Sequence, residues 1–117
     1  MPLLRSFGYA FSGLGHLLRT QRNFRIELAI GLVALMAAAW SRVERWEWAV
    51  LVVTISLVLI LEAVNTAIEN AVTLASPSVD PRARAAKDVS AAAVLIASFA
   101  AVAVGVIIFI PRIAASY

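Results

Sequence analysis

Residues 58–72 read VLILEAVNTAIENAV, an apolar helical run broken by Glu62, Asn65 and Glu69. The spacing i, i+3, i+7 places the three polar side chains within about 60° of one another at 100° per residue. A charge inside a membrane-spanning helix costs at least about 2.5 kcal/mol even on lenient insertion scales, so intramembrane carboxylates mark function by default. Carboxylates at this spacing can hold a metal, take a proton, or do both.

Outward from this stretch, composition sets the class. The chain has 117 residues, of which 62% are hydrophobic and 15% charged, with a mean hydropathy of +0.91. Soluble domains run at about 45–50% apolar and about 25% charged, so a soluble core is excluded and one integral-membrane domain is expected over 1–117. The absence of cysteine rules out disulfides, thiol nucleophiles and thiolate metal sites. The net charge of +3 is spread along membrane flanks, which argues for anchoring and against nucleic-acid binding. The first apolar run has no small-residue cleavage site and is not read as a signal peptide.

The fold expected is an all-α membrane protein, an amphipathic surface helix followed by three spans. Over 1–22, Leu3, Leu4, Phe7, Ala10, Phe11, Leu14, Leu17 and Leu18 recur at three- and four-residue intervals, with Arg5, Tyr9, Ser12, His16 and Arg19 opposite. This pattern predicts a helix lying in the headgroup plane. The spans follow at 24–41, 46–74 and 84–111, with a loop at 75–83; their apolar runs, Phe24–Trp40, Trp48–Ile68 and Val89–Ile110, each match the roughly 17–25 residues needed to cross about 30 Å of hydrocarbon. Pro111 and Arg112 are expected to end the third. Arg5, Arg19, Arg22, Arg25, Arg82, Arg84 and Lys87 fall on one side, and only Arg42, Arg45 and Arg112 on the other, beside Trp40, Trp46 and Trp48. The positive-inside rule makes the amino terminus and the 75–83 loop cytoplasmic. Counting from Trp48, Glu69 then sits at the wet cytoplasmic boundary and Glu62 about 10 Å deeper.

Each candidate has a plainer alternative. Glu62 could be a buried acid paired for packing, but no span interior supplies a basic partner; a dry carboxylate suits general-base work on a hydroxyl. Glu69 could be a solvated helix end, and Asn65 interhelical hydrogen-bond glue. In RARAAKDVSAAAV, residues 82–94, Arg84, Lys87 and Asp88 share a face where the third helix begins, a position suited to phosphate; membrane anchoring accounts equally well for Arg82 and Arg84. Before the first span, TQRNFRIEL offers Gln21, Arg22, Arg25 and Glu27, although Glu27 can simply pair with an arginine. His16 is assigned no role. The chain has no GxxxxGK[ST] and no GxGxxG, so any nucleotide site must be built another way.

LEAVNTAIENAV, residues 61–72, followed by AKDVSAAAVLIA, residues 86–97, resembles the signature of the small prokaryotic diacylglycerol kinase and undecaprenol kinase family. FGYAFSGL and RNFRIEL resemble its amino-terminal portion, so the likeness covers nearly the whole chain. RNFRIEL and the SPSVDPRARAAKD loop are more similar to the undecaprenol kinase branch. The resemblance implies a homotrimer in a bacterial cytoplasmic membrane, with active sites shared between subunits and facing the cytoplasm. It implies transfer of the γ-phosphate of ATP, with Mg²⁺, to a lipid alcohol, undecaprenol in the first instance and diacylglycerol in the second. By position, Glu62 matches the general base and Glu69 a metal-binding glutamate. Asn65, Lys87 and Asp88 match residues lining the nucleotide and phosphate site, to which Tyr9 and Arg84 are also assigned. Gln21 stands where the family has a metal-binding glutamate, and Thr73 where an Asp follows Glu69 by four residues. Gln21 can ligate Mg²⁺ without adding charge; Thr73 keeps an oxygen but loses the charge that would meet a cation. A proton-coupled transporter using Glu62 and a non-enzymatic assembly factor are the rival classes.

Overall fold

The computed structural model describes residues 2–115. Four helices account for nearly all of them: α1 (Pro2–Thr20), α2 (Arg22–Ser41), α3 (Arg45–Ala75) and α4 (Pro81–Ala115). The last three are long and apolar enough to cross a membrane, and with no strand among the described residues the protein is an all-α membrane protein. With 31 residues, α3 is about 46 Å long, well beyond the roughly 30 Å of hydrocarbon. One end of it therefore has room to work outside the apolar layer.

Along α1 only Leu17 is buried, and Leu3, Leu4, Phe7 and Phe11 stay exposed, as an interfacial helix requires. The break expected near residue 22 comes at Gln21, whose backbone is extended, and α2 starts at Arg22. Arg25 explains why α1 can stop there: its guanidinium donates to the carbonyls of Leu18 and Arg19 at 2.9 and 3.2 Å, meeting acceptors a helix end leaves unsatisfied. Among the described residues no ion pair joins Glu27 to an arginine, so that plainer alternative is not what the fold builds.

Between α2 and α3 the chain reverses through Arg42, a left-handed residue with φ 53°, and the Val43 amide returns to the Ala38 carbonyl at 3.2 Å. Glu47 then accepts the Glu44 amide at 2.9 Å, capping α3. The same Glu47 carboxylate is gripped at both oxygens by Arg112, at 2.7 and 2.5 Å. That grip carries a correction, because α4 does not end at Pro111–Arg112 but runs to Ala115. Proline removes one amide donor, a small loss in a final turn, while Arg112 clamps that turn to the start of α3 and donates back to the Ile108 carbonyl.

A second correction falls at the other end of α4, which begins at Pro81 and not at 84, shortening the loop to 76–80. Asp80 accepts the Arg82 amide at 2.8 Å and Pro81 follows in the first helical position, where a missing amide costs nothing. The hydrogen-bonded Arg82 guanidinium holds the Asp80 carboxyl below the usual carboxylate range.

The most extensive packing is α3 against α4, with α2 against α3 next. Residues Glu47, Leu51, Val58, Glu62 and Thr66 form the buried stripe of α3, spaced by fours and a seven as in packed helices. At the Trp48 end the core gathers Ala38, Val43, Leu51 and Ile108, with Trp48 and Phe109 against it. Closer to the middle, Gly31 lets α2 approach α3: a Cβ there would lie 2.6 Å from Ile55 Cγ2. Ile55 is β-branched and stiff in a helix, so the helices must separate. Overpacking costs about 1–3 kcal/mol and the better helix propensity of Ala returns about 0.5–1 kcal/mol. Gly31→Ala is therefore expected to lower the thermal unfolding midpoint in detergent micelles. Gly105→Ala, which meets nothing within 4 Å in the chain, should not; equal midpoints for the two would contradict this packing.

Candidate active site

Glu62 lies on the buried stripe of α3 and is only 7% exposed. Thr66 donates to the Glu62 backbone carbonyl at 3.0 Å, so neither polar group of that turn is spent on the carboxylate. Among the described residues the ion pairs are Arg82–Asp80 and Arg112–Glu47. Neither of these involves Glu62. The alternative in which Glu62 is neutralised by a basic partner for packing is therefore not what the fold builds. Its burial in protein adds to the depth expected from the sequence.

One to three turns further along, α3 and α4 are joined by a chain of polar contacts. The Asn65 amide donates to Glu69 Oε1 at 3.4 Å, and Ser90 Oγ donates to Asn65 Oδ1 at 2.6 Å. The Lys87 ammonium donates to Thr73 Oγ1 at 2.8 Å. Thr73 thus keeps the cation contact that its replacement of an acid put in question, now with a neutral acceptor. The α3–α4 contact thus joins Asn65 to Glu69 and to Ser90, and Lys87 to Thr73, with Asn65 and Lys87 half-buried and Glu69 exposed.

The remaining candidates stay outside this network. Gln21, at the α1–α2 junction, has a side-chain amide that among the described residues donates to its neighbour Thr20 at 3.2 Å. Tyr9 is 73% exposed, and Arg84 and Asp88 are exposed on α4; none of these three side chains makes a hydrogen bond or ion pair among the described residues. Ser90 was missed, though its place three residues after Lys87 puts it on the same helical face. Glu27 lines a cleft of about 440 Å³ between α2, α3 and α4, otherwise mostly apolar and bordered by Gly31, Val58, Ala101 and Gly105. His16 faces a groove between α1 and α3 beside Thr66 and Asn70.

Among the described residues no group of three or more His, Asp or Glu side chains is placed to hold a metal. Mg²⁺ bound to a nucleotide is commonly held by one or two carboxylates and the substrate's phosphates. Glu69 offers such a carboxylate, with Oε2 free of the Asn65 contact.

Fold and site together define a small helical membrane protein with a buried acid beneath an exposed acid–base cluster at one helix contact. The chain belongs to the prokaryotic diacylglycerol kinase family, whose sequence model matches residues 8–109. It is 44% identical over 110 residues to a diacylglycerol kinase of Synechocystis sp., covering 93% of this chain and 63% of that protein's length. It is 33% identical over 109 residues to the undecaprenol kinase of Bacillus subtilis, covering 93% and 89% of the two chains. It is also 33% identical over 100 residues to the diacylglycerol kinase of Escherichia coli K12, covering 86% and 82%. The relatives' names divide between two lipid alcohols.

Proposed function

We propose that the protein is a lipid kinase that transfers the γ-phosphate of ATP to the hydroxyl of a membrane lipid alcohol, with undecaprenol as the first candidate. The observation that carries this reading is the two-level site: a buried carboxylate with no basic partner among the described residues, one to two turns from exposed Glu69 and half-buried Asn65, with Lys87 reaching α3 beyond them. Two reactants of opposite solubility need such a division. The lipid presents its hydroxyl at Glu62, which takes the proton as the oxygen attacks the γ-phosphorus. The bond from that phosphorus to the bridging oxygen breaks, ADP leaves, and the phosphate stays on the lipid oxygen. Lys87 faces the transferring group as a cation, and Glu69 orients the phosphate end of the nucleotide. Mg²⁺, carried by ATP, supplies charge neutralisation between the phosphates.

The reading includes the cytoplasmic membrane of a bacterium, with the site on the cytoplasmic side, supported by the distribution of basic residues. It also includes a homotrimer with sites shared between neighbours. Support comes from the family and from Tyr9, Gln21, Arg84 and Asp88, which lie outside the network of one chain and are available to a neighbouring one. The loop and RNFRIEL resemblances favour undecaprenol; the 44% identity to a protein named diacylglycerol kinase favours diacylglycerol as the second reading. Purified protein in mixed micelles with labelled ATP, offered both lipids side by side, is expected to label undecaprenol faster. Faster labelling of diacylglycerol would transfer the assignment, and labelling of neither would overturn the kinase reading.

A further inference from the structure

Ser90 is buried, on the face of α4 that meets α3. Its hydroxyl has one proton and two acceptors in reach: the Lys87 carbonyl of its own helix at 3.0 Å and Asn65 Oδ1 across the interface at 2.6 Å. The first is the ordinary back-bond of a helical serine; the second is shorter and decides how Asn65 is turned. An ionised carboxylate only accepts, so the Asn65 amide must present its NH₂ to Glu69 and its oxygen to α4. That oxygen then needs a donor, and Ser90 is the group that meets it. Remove the hydroxyl and Asn65 Oδ1 loses its donor, so the amide is held by the longer contact with Glu69 at 3.4 Å and is freer to turn.

We propose that Ser90 is a positioning residue: through the Asn65 amide it fixes the orientation of the Glu69 carboxylate, and so tunes how that carboxylate meets the phosphate end of a nucleotide. Its consequence for catalysis rests on the kinase reading above, but its effect on Asn65 does not. The short side chain suits the role because half-buried Ala93, three residues on and on the same face of α4, is also small and permits a close approach. The two halves of the cluster also meet at this residue, as Ser90 contacts both the Lys87 backbone and the Asn65 side chain.

Two readouts on the full chain in micelles test this. In ¹⁵N-labelled protein, Ser90→Ala is expected to shift and broaden the Asn65 side-chain amide resonances, and Ser90→Thr to restore them; resonances unchanged by Ser90→Ala overturn the proposal. In titrations of Mn²⁺ with a non-hydrolysable ATP analogue, followed by electron paramagnetic resonance, Ser90→Ala should weaken half-saturation about three- to tenfold, the weight of one hydrogen bond. The same change in an Asn65→Ala background should then have no further effect. Full additivity of the two substitutions overturns action through Asn65, because a general packing role would persist without the amide. A wild-type protein that phosphorylates neither lipid would sink the kinase reading alone, leaving the resonance test to decide the role of Ser90.

Discussion

Glu62→Gln is expected to lower lipid phosphorylation by about 10²- to 10⁴-fold, the range for loss of a general base, with little change in the concentration of ATP that half-saturates the enzyme. Gln has nearly the shape of Glu but no site for the proton of the attacking hydroxyl. Glu62 is buried, and among the described residues its side chain makes no hydrogen bond to Lys87 or Asn65, so nucleotide handling by that cluster should survive. Stability separates this role from a packing one. Removing half of a buried ion pair strands the other charge and destabilises strongly. Glu62 has no basic partner to strand among the described residues. Its neutral isostere should therefore unfold at the same temperature as wild type or higher, while activity collapses. A thermal midpoint that falls with activity intact would assign Glu62 to packing and end its role as base.

What the sequence could and could not reveal follows from the range of the interactions involved. Spans, surface helix and the face shared by Glu62, Asn65 and Glu69 were legible because helical period and hydropathy are local. The buried state of Glu62 was legible in outline, as depth below a membrane boundary, but its place on the stripe from Glu47 to Thr66 depends on how α4 packs. The helix ends went wrong where a local rule met a distant partner. Pro111 reads as a stop, yet Arg112 is held by Glu47, 65 residues earlier, and the helix continues. At Pro81 the missed signal was local, an Asp–Pro pair that caps and starts a helix and was read as loop. Thr73 and Ser90 form the clearest case of the rest. Neither residue type announces a site, and both matter here because α3 and α4 bring them to Lys87 and Asn65 across 14 and 25 residues.

Lys87→Met is expected to reduce turnover about 10²- to 10³-fold, the scale for losing one group that stabilises transition-state charge, with the loss largest in kcat. The ammonium has three donors. One is given to Thr73 Oγ1, which aims the side chain while leaving two for phosphate oxygens. Because threonine is neutral, the contact orients Lys87 without cancelling its charge, whereas an acid at that position would hold it in a stronger, charge-assisted bond. Two further substitutions distinguish aim from charge. Thr73→Val removes the acceptor but not the cation, so the loss should be only a few-fold, about the value of one hydrogen bond. Lys87→Arg keeps the charge in a wider, planar group that cannot reproduce a compact ammonium, and should recover part of the activity lost in Lys87→Met. If Lys87 only anchored α4 at the membrane surface, arginine would restore full activity and methionine would act mainly on stability. Assays of kcat and KM for ATP across the three variants, with thermal midpoints alongside, separate the two roles: a kcat unchanged in Lys87→Met would remove this residue from the transfer step.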